Sequence, residues 1–393
     1  MTPQVTHPGV YVAELPAEGH KIVGVSSSIT AFIGRASKGP FNRAIKCKSI
    51  RGAVRRFGGP HPRSELARSL KMFFDNGGRE CFVVRLEESI TADSYTGIEV
   101  PPRGLHALDT VKLFNLMVLP ADRDVNLQEA WKSASKYCKQ RGAVLLMDPP
   151  RDWTRKGRPT ITRQKVDDLR STVATDNCAV FYPRVRTNRR GRANYLGPTG
   201  AVAGVIARVE HGRGVWKVPA GTEAHLKGIT GLEVKLASRH KGIINSLGVN
   251  CLRNLPQQGF VIWGARTLEG DDHQSSEWKY LSVRRLALFI EKSIEHGTHW
   301  VVFEPNPEPL WTKVRLNVGG FLMKLFRDGA FQGATPNEAF FVKCDRQTTT
   351  QEDVNEGVLN FHVGFAPLKP AEFVIVKIRQ KIVGRKLVQV RSP

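Results

Sequence analysis

SELARSLKMFFDNGGRECFVVRL, residues 64–86, reads as a helix, a stop and a strand in immediate succession. Ser64 is placed to cap the helix, Leu66, Leu70 and Phe73/Phe74 share one face, and Asn76-Gly77-Gly78 ends it. Cys81–Leu86 then runs apolar without alternation, as a strand covered on both faces does. The segment before it, TAFIGRASKGPFN from Thr30, reads as a strand that ends in a Gly-Pro turn. A β–α–β rhythm follows.

The rhythm continues downstream. VKLFNLMVLP (111–120), AVLLMDPP (143–150) and NCAVFYPRV (177–185) read as buried strands. NLQEAWKSASKYCKQRG (126–142) and KVDDLRSTVA (165–174) read as helices. This predicts an α/β domain with an open, largely parallel sheet over residues 21–257. After about Gly259 the order changes to GFVIWGART (strand), WKYLSVRRLALFIEKSIEHG (helix), THWVVFEP (strand) and EPLWTKVRLNVGGFLMKLFRDGAF (helix). FFVKCD, LNFHVGFAPL and AEFVIVKI then follow as strands. Residues 258–370 are therefore expected to form an α+β domain, with the boundary near Leu255–Gly259. Residues 1–20, with Pro3, Pro8 and Pro16, read as an extended arm. Residues 371–393 read as a C-terminal strand and basic arm.

A chain of 393 residues with 41% apolar and 24% charged residues has the composition of a folded protein. Its formal charge of +23 directs attention to polyanions. The densest basic stretch, RVRTNRRGR (184–192), has no aromatic side chain to stack on bases and reads as a solvated loop. The six cysteines form no CxxC pair, which fits reduced, buried thiols and assembly in a cytoplasm. No signal layout opens the chain, and no apolar run is long enough to span a bilayer.

Catalytic motifs fail on inspection. GRASKGP (34–40) has phosphate-loop spacing but Pro40 and Phe41 where Lys and Ser/Thr must stand. HGRGVWK has Gly212 and Gly214 but Lys217 in place of a third glycine. His296 and His299 are separated by the helix breaker Gly297, so a zinc site with Asp271 and Asp272 is the weak alternative to a plain turn at Gly270–His273. These readings argue against an enzyme and call for no cofactor or metal.

Taken together, TAFIGRASKGPFN, FFDNGGRECFVVRL, SLGVNCLRNLPQQGFVIWGARTL, EWKYLSVRRLALFIEKSIEHGTHWVVFEPN, LWTKVRLNVGGFLMKLFRDGAFQGATPNEAFFVKCD and VGFAPLKPAEFVIVKI resemble the contractile tail sheath proteins of phages and of phage-derived injection particles. The basic tail after Ile378 is longer than that pattern. The resemblance implies a structural subunit that polymerises helically around an inner tail tube and contracts to drive it through a cell envelope. Its partners would be other copies of itself, the tube protein, and baseplate and tail terminator proteins. It would bind no nucleic acid directly and insert into no membrane. It would be assembled in the bacterial host cytoplasm and reside in the virion tail or injection-particle sheath. A basic nucleic-acid-binding protein is the alternative, carried by charge alone.

The resemblance also implies roles for named residues. Val10, Tyr11 and Val12 would be donated as a strand to a neighbour's sheet. Phe373, Val374, Ile375 and Val376 would belong to that shared sheet, the alternative being a hairpin within one subunit. On the helix after Pro309, Leu310, Val314, Val318, Phe321, Leu322 and Leu325 fall on one apolar arc at about 100° per residue. Lys313, Gly320, Lys324 and Arg327 cluster on another. In the resemblance this stripe faces the tube; a solvated face is the alternative.

Overall fold

The computed structural model describes residues 21–87, 90–189, 192–236, 238–273, 275–302, 304–305, 308–368 and 374–381. The described residues divide into two units, one within 24–292 together with 367–368 and 374, the other within 21–23, 293–366 and 375–381.

The larger unit is built on one sheet of eight strands: β1 Thr30–Gly34, β2 Ala44–Cys47, β3 Cys81–Arg85, β4 Leu116–Val118, β5 Val144–Met147, β6 Cys178–Tyr182, β7 Val249–Leu255 and β8 Gly259–Trp263. Their spatial order is β8-β7-β6-β5-β4-β1-β3-β2. The six central strands run parallel, while β2 and β8 pair antiparallel at the two edges. Unbroken apolar runs suit this position because both faces are covered. Ala31, Ile33, Met117, Leu145 and Met147 enter one core with Leu127, Trp131 and Val166. Phe32, Leu116, Val118, Val144 and Leu146 enter the opposite core with Leu70, Phe73, Val202 and Ile206.

On that second face, helices Leu66–Asp75 and Thr199–Arg213 pack together. Gly200 and Gly204, one turn apart, allow this: a Cβ on Gly204 would stand 2.3 Å from the Phe73 carbonyl oxygen. The first of these helices is flanked by Glu65, and the Ser64 hydroxyl accepts from the Leu66 amide (3.2 Å). The cap therefore sits one residue later than expected.

Both rims of the sheet are occupied or short. The outer side of β8 is bonded by the segment before it: Gly221 N–H donates to Ile262 O (2.8 Å), Ile262 N–H to Ala224 O (3.0 Å) and Leu226 N–H to Phe260 O (2.7 Å). β2 is four residues long, with exposed Lys46 and Lys48. The sequence reading assigned Gly259–Trp263 to the second domain; it pairs instead with β7 of the large sheet. An apolar run states that a strand is buried, not which sheet buries it.

Two further expectations are corrected. RVRTNRRGR is not a loop: Val185–Arg189 and Arg192–Leu196 pair antiparallel, with Gly231–Leu232 alongside. Arg184 is only 9% exposed and faces Glu65 at 3.6 Å. Among its described residues THWVVFEP holds a 3-10 turn, His299–Val301, and no strand.

In the smaller unit, helix Glu308–Arg327 packs on strand β9, Phe340–Lys343. This strand pairs antiparallel with β10, Val358–Phe365, and β10 is flanked on its other side by β11, Val374–Lys381. Phe331 packs on Phe365 and Phe340, with ring centres 5.5 and 6.1 Å apart.

Candidate interaction surface

The helix Glu308–Arg327 is two-sided. Every residue of the predicted apolar arc, Leu310, Val314, Val318, Phe321, Leu322 and Leu325, is buried, together with Trp311 and Asn317. Lys313, Gly320, Lys324 and Arg327 are all exposed. Among the described residues no carboxylate lies within ion-pair distance of Lys313 or Lys324. By contrast, Arg315 is tied down, donating to the Cys344 carbonyl and to Thr312 Oγ1 (2.8 Å).

The glycines sharpen the picture. A Cβ added to Gly319 or Gly320 would meet nothing within 4 Å. Each glycine in a helix interior costs about 1 kcal/mol relative to alanine, and no packing within the unit requires either. Sequence reasoning missed Leu316, which is 59% exposed beside the stripe. It was legible as the apolar residue off the core arc.

Val374, Ile375 and Val376 lie on β11, beside β10 of the same chain. Val10, Tyr11, Val12 and Phe373 lie outside the described residues.

The near-miss motifs acquire structural roles. The GRASKGP segment leads from β1 toward edge strand β2, not into a helix N-terminus. Gly214 stops the helix Thr199–Arg213 with φ 88°, so HGRGVWK ends a helix where a dinucleotide loop would begin one. Asp271 is gripped by Arg163 (2.9 Å) and Arg170 (2.8 Å), and Asp272 by Arg266 (2.8 Å) and Lys279 (2.6 Å). Four cations on two carboxylates make a clamp that repels a metal ion. Among the described residues no group of His, Cys, Asp or Glu is placed to hold one.

A cleft of about 480 Å³ opens at the carboxyl ends of the parallel strands, lined in part by Asp122, Arg123, Asp148, Arg151 and Arg184. Many α/β proteins bind ligands at this position. Here its buried charges answer one another. Asp122 faces Arg35 at 3.3 Å, and Asp148 accepts from the Thr199 amide (3.0 Å) and hydroxyl (2.8 Å). Burial raises the Asp148 carboxyl above its ordinary range, against the pull of Arg184 and the Thr199 bonds. The arrangement is structural.

The model of the phage tail sheath protein central domain matches residues 88–268, and that of the phage tail sheath C-terminal domain matches residues 273–381. The chain belongs to the contractile tail sheath family. It is 27% identical over 221 residues to the tail sheath protein of Vibrio phage KVP40, an alignment that covers 55% of this chain and 31% of that protein. The chain thus spans about a third of that relative. The helical sheath of the anti-feeding prophage in its contracted state superposes with a TM-score of 0.74 and 25% identity over 95% of this chain and 99% of that one. The sheath complex of an extracellular contractile injection system, PVC, in its contracted state gives 0.72 and 26% over 95% and 98%. The matched proteins are structural sheath components, and this chain is a structural protein, not an enzyme. The nucleic-acid-binding alternative is not favoured.

Proposed function

We propose that this chain is a sheath subunit that polymerises helically around an inner tail tube and shortens to drive the tube through a target envelope. The supporting observation is the two-sided helix Glu308–Arg327. One face is core. The other offers Lys313, Lys324 and Arg327 around glycines that leave room for a close neighbour. Acidic residues on the tube are the partner this face fits. Each exposed pair is worth about 0–1 kcal/mol, so many weak contacts repeated along a polymer hold register yet release together.

Residues 1–20 act as an arm whose Val10-Tyr11-Val12 segment adds a strand to a neighbouring subunit's small sheet. Phe373–Val376 belong to that sheet, and residues 371–393 form the C-terminal strand and basic arm. Such a head-to-tail joint does not close on itself and so builds an open helical polymer. The large α/β unit, including Gly259–Trp263, is the outer part of the subunit, and the α+β unit is the inner part facing the tube. Baseplate and tail terminator proteins bound the polymer, which is assembled in a bacterial cytoplasm.

Electron microscopy of the purified full chain tests this reading. Tubes are expected from the intact chain, and folded subunits without tubes after deletion of residues 1–16. Normal tubes from the truncated chain would remove the arm from the joint. Absence of tubes from the intact chain at every protein and salt concentration would overturn self-assembly.

A further inference from the structure

Strands β2 and β3 pair with Cys47 directly opposite Cys81. Facing residues of an antiparallel pair have Cα atoms about 4.5–5.5 Å apart, inside the range of about 4.4–6.8 Å that a disulfide bridges. Both side chains enter the same apolar cluster, so they project from the same face of the sheet. Both thiols are free. The other four cysteines sit on separate elements: Cys138 on a helix, Cys178 on β6, Cys251 on β7 and Cys344 just after β9.

We propose that Cys47 and Cys81 are a dithiol modification site, closed to a disulfide by a small peroxide. The Cys47 thiolate attacks one peroxide oxygen: an S–O bond forms, the O–O bond breaks, and hydroxide leaves and is protonated to water. The Cys81 sulfur then attacks the Cys47 sulfenic sulfur. An S–S bond forms, the S–O bond breaks, and a second water departs with the Cys81 proton. The two thiols lose two electrons and hydrogen peroxide is reduced to two waters.

The division of labour follows from the surroundings. The Cys81 thiol facing it holds the Cys47 thiol below its ordinary value against burial, and Arg56 adds to the effect. The Cys47 thiol in turn, with burial, pushes Cys81 well up. Cys47 is thus the attacking group and Cys81 the resolving one. Access suits a small oxidant and excludes a bulky one. Cys47 is 3% exposed and Cys81 fully buried, but Cys47 ends an edge strand and is followed by exposed Lys48 and Ser49. The resulting bond would staple the sheet's short edge to the parallel core.

The test treats the full-length protein with hydrogen peroxide, alkylates the remaining thiols, and maps peptides without reduction. Loss of two of the six thiols, a linked pair of peptides containing Cys47 and Cys81, and reversal by dithiothreitol are expected. Amide exchange over Ala44–Lys46 should slow at the same time. Cys47→Ser should abolish the link, whereas Cys138→Ser should retain it. Six intact thiols, links between other cysteines, or Cys47 oxidised to the sulfinic acid without joining Cys81 would each overturn the proposal. The wild-type map decides it even where a variant folds poorly.

Discussion

The ring of Phe341 lies across Gly364 on the facing strand, so close that a Cβ on Gly364 would stand 2.1 Å from the ring's Cε1. An aromatic thus covers the backbone that a glycine leaves bare. Gly364→Ala must push the ring toward solvent and should destabilise the small unit by about 1–3 kcal/mol. In a Phe341→Ala background the same change should cost clearly less, and urea melts of the wild type and the three variants read this coupling. Equal costs in both backgrounds would show that the ring does not matter to Gly364.

The pairing of helices Leu66–Asp75 and Thr199–Arg213 depends on Gly204, whose Cβ position is 2.3 Å from a backbone oxygen that cannot swing away. Gly204→Ala should therefore cost at least about 1–3 kcal/mol. Gly212→Ala, where a Cβ meets nothing within 4 Å, should leave the denaturation midpoint unchanged or higher.

Gly320 separates subunit stability from assembly. With open space around it, Gly320→Ala should raise helix stability by up to about 1 kcal/mol. Gly320→Leu should also fold, yet fail to form extended sheaths on a cognate tube. Lys324→Glu with Arg327→Glu should lower the yield of extended sheaths and spare tubes made of sheath alone. Wild-type yields of extended sheath from both variants would place the tube contact elsewhere.

Asp148 gives a pH test. Burial raises its carboxyl above the ordinary value of 3.8, so the folded state holds the proton more tightly than the unfolded chain. The stabilisation is complete below pH 3.8 and is lost as pH rises through the raised value. Asp148→Asn keeps an oxygen for Thr199 and removes the titration. In urea melts from pH 4 to 8, the variant should gain on the wild type with rising pH. A constant difference would remove Asp148 from the pH dependence.

Much of this architecture was legible because burial leaves a periodic trace. Strands such as Val144–Met147 are apolar at every position, and the arc from Leu310 to Leu325 follows the helical repeat. What escaped depends on partners distant in the chain. Val185–Arg189 takes Gly231–Leu232 as a partner besides the adjacent Arg192–Leu196, and Gly259–Trp263 needs β7 to declare its sheet. The Asp271 clamp draws on Arg163 and Arg170, whose spacing from it carries no periodic signal. Leu316 stands off the core arc, but an apolar residue on a helix is ordinarily counted toward the core and so was passed over.

The closed rims of the large sheet carry a mechanical consequence. A stray β-strand approaching β8 finds the backbone of residues 221–226 already in place, and one approaching β2 finds a short edge flanked by lysines. Joining this sheet to another through the backbone would mean displacing residues 221–226 at one rim or accepting the short, lysine-flanked strand at the other.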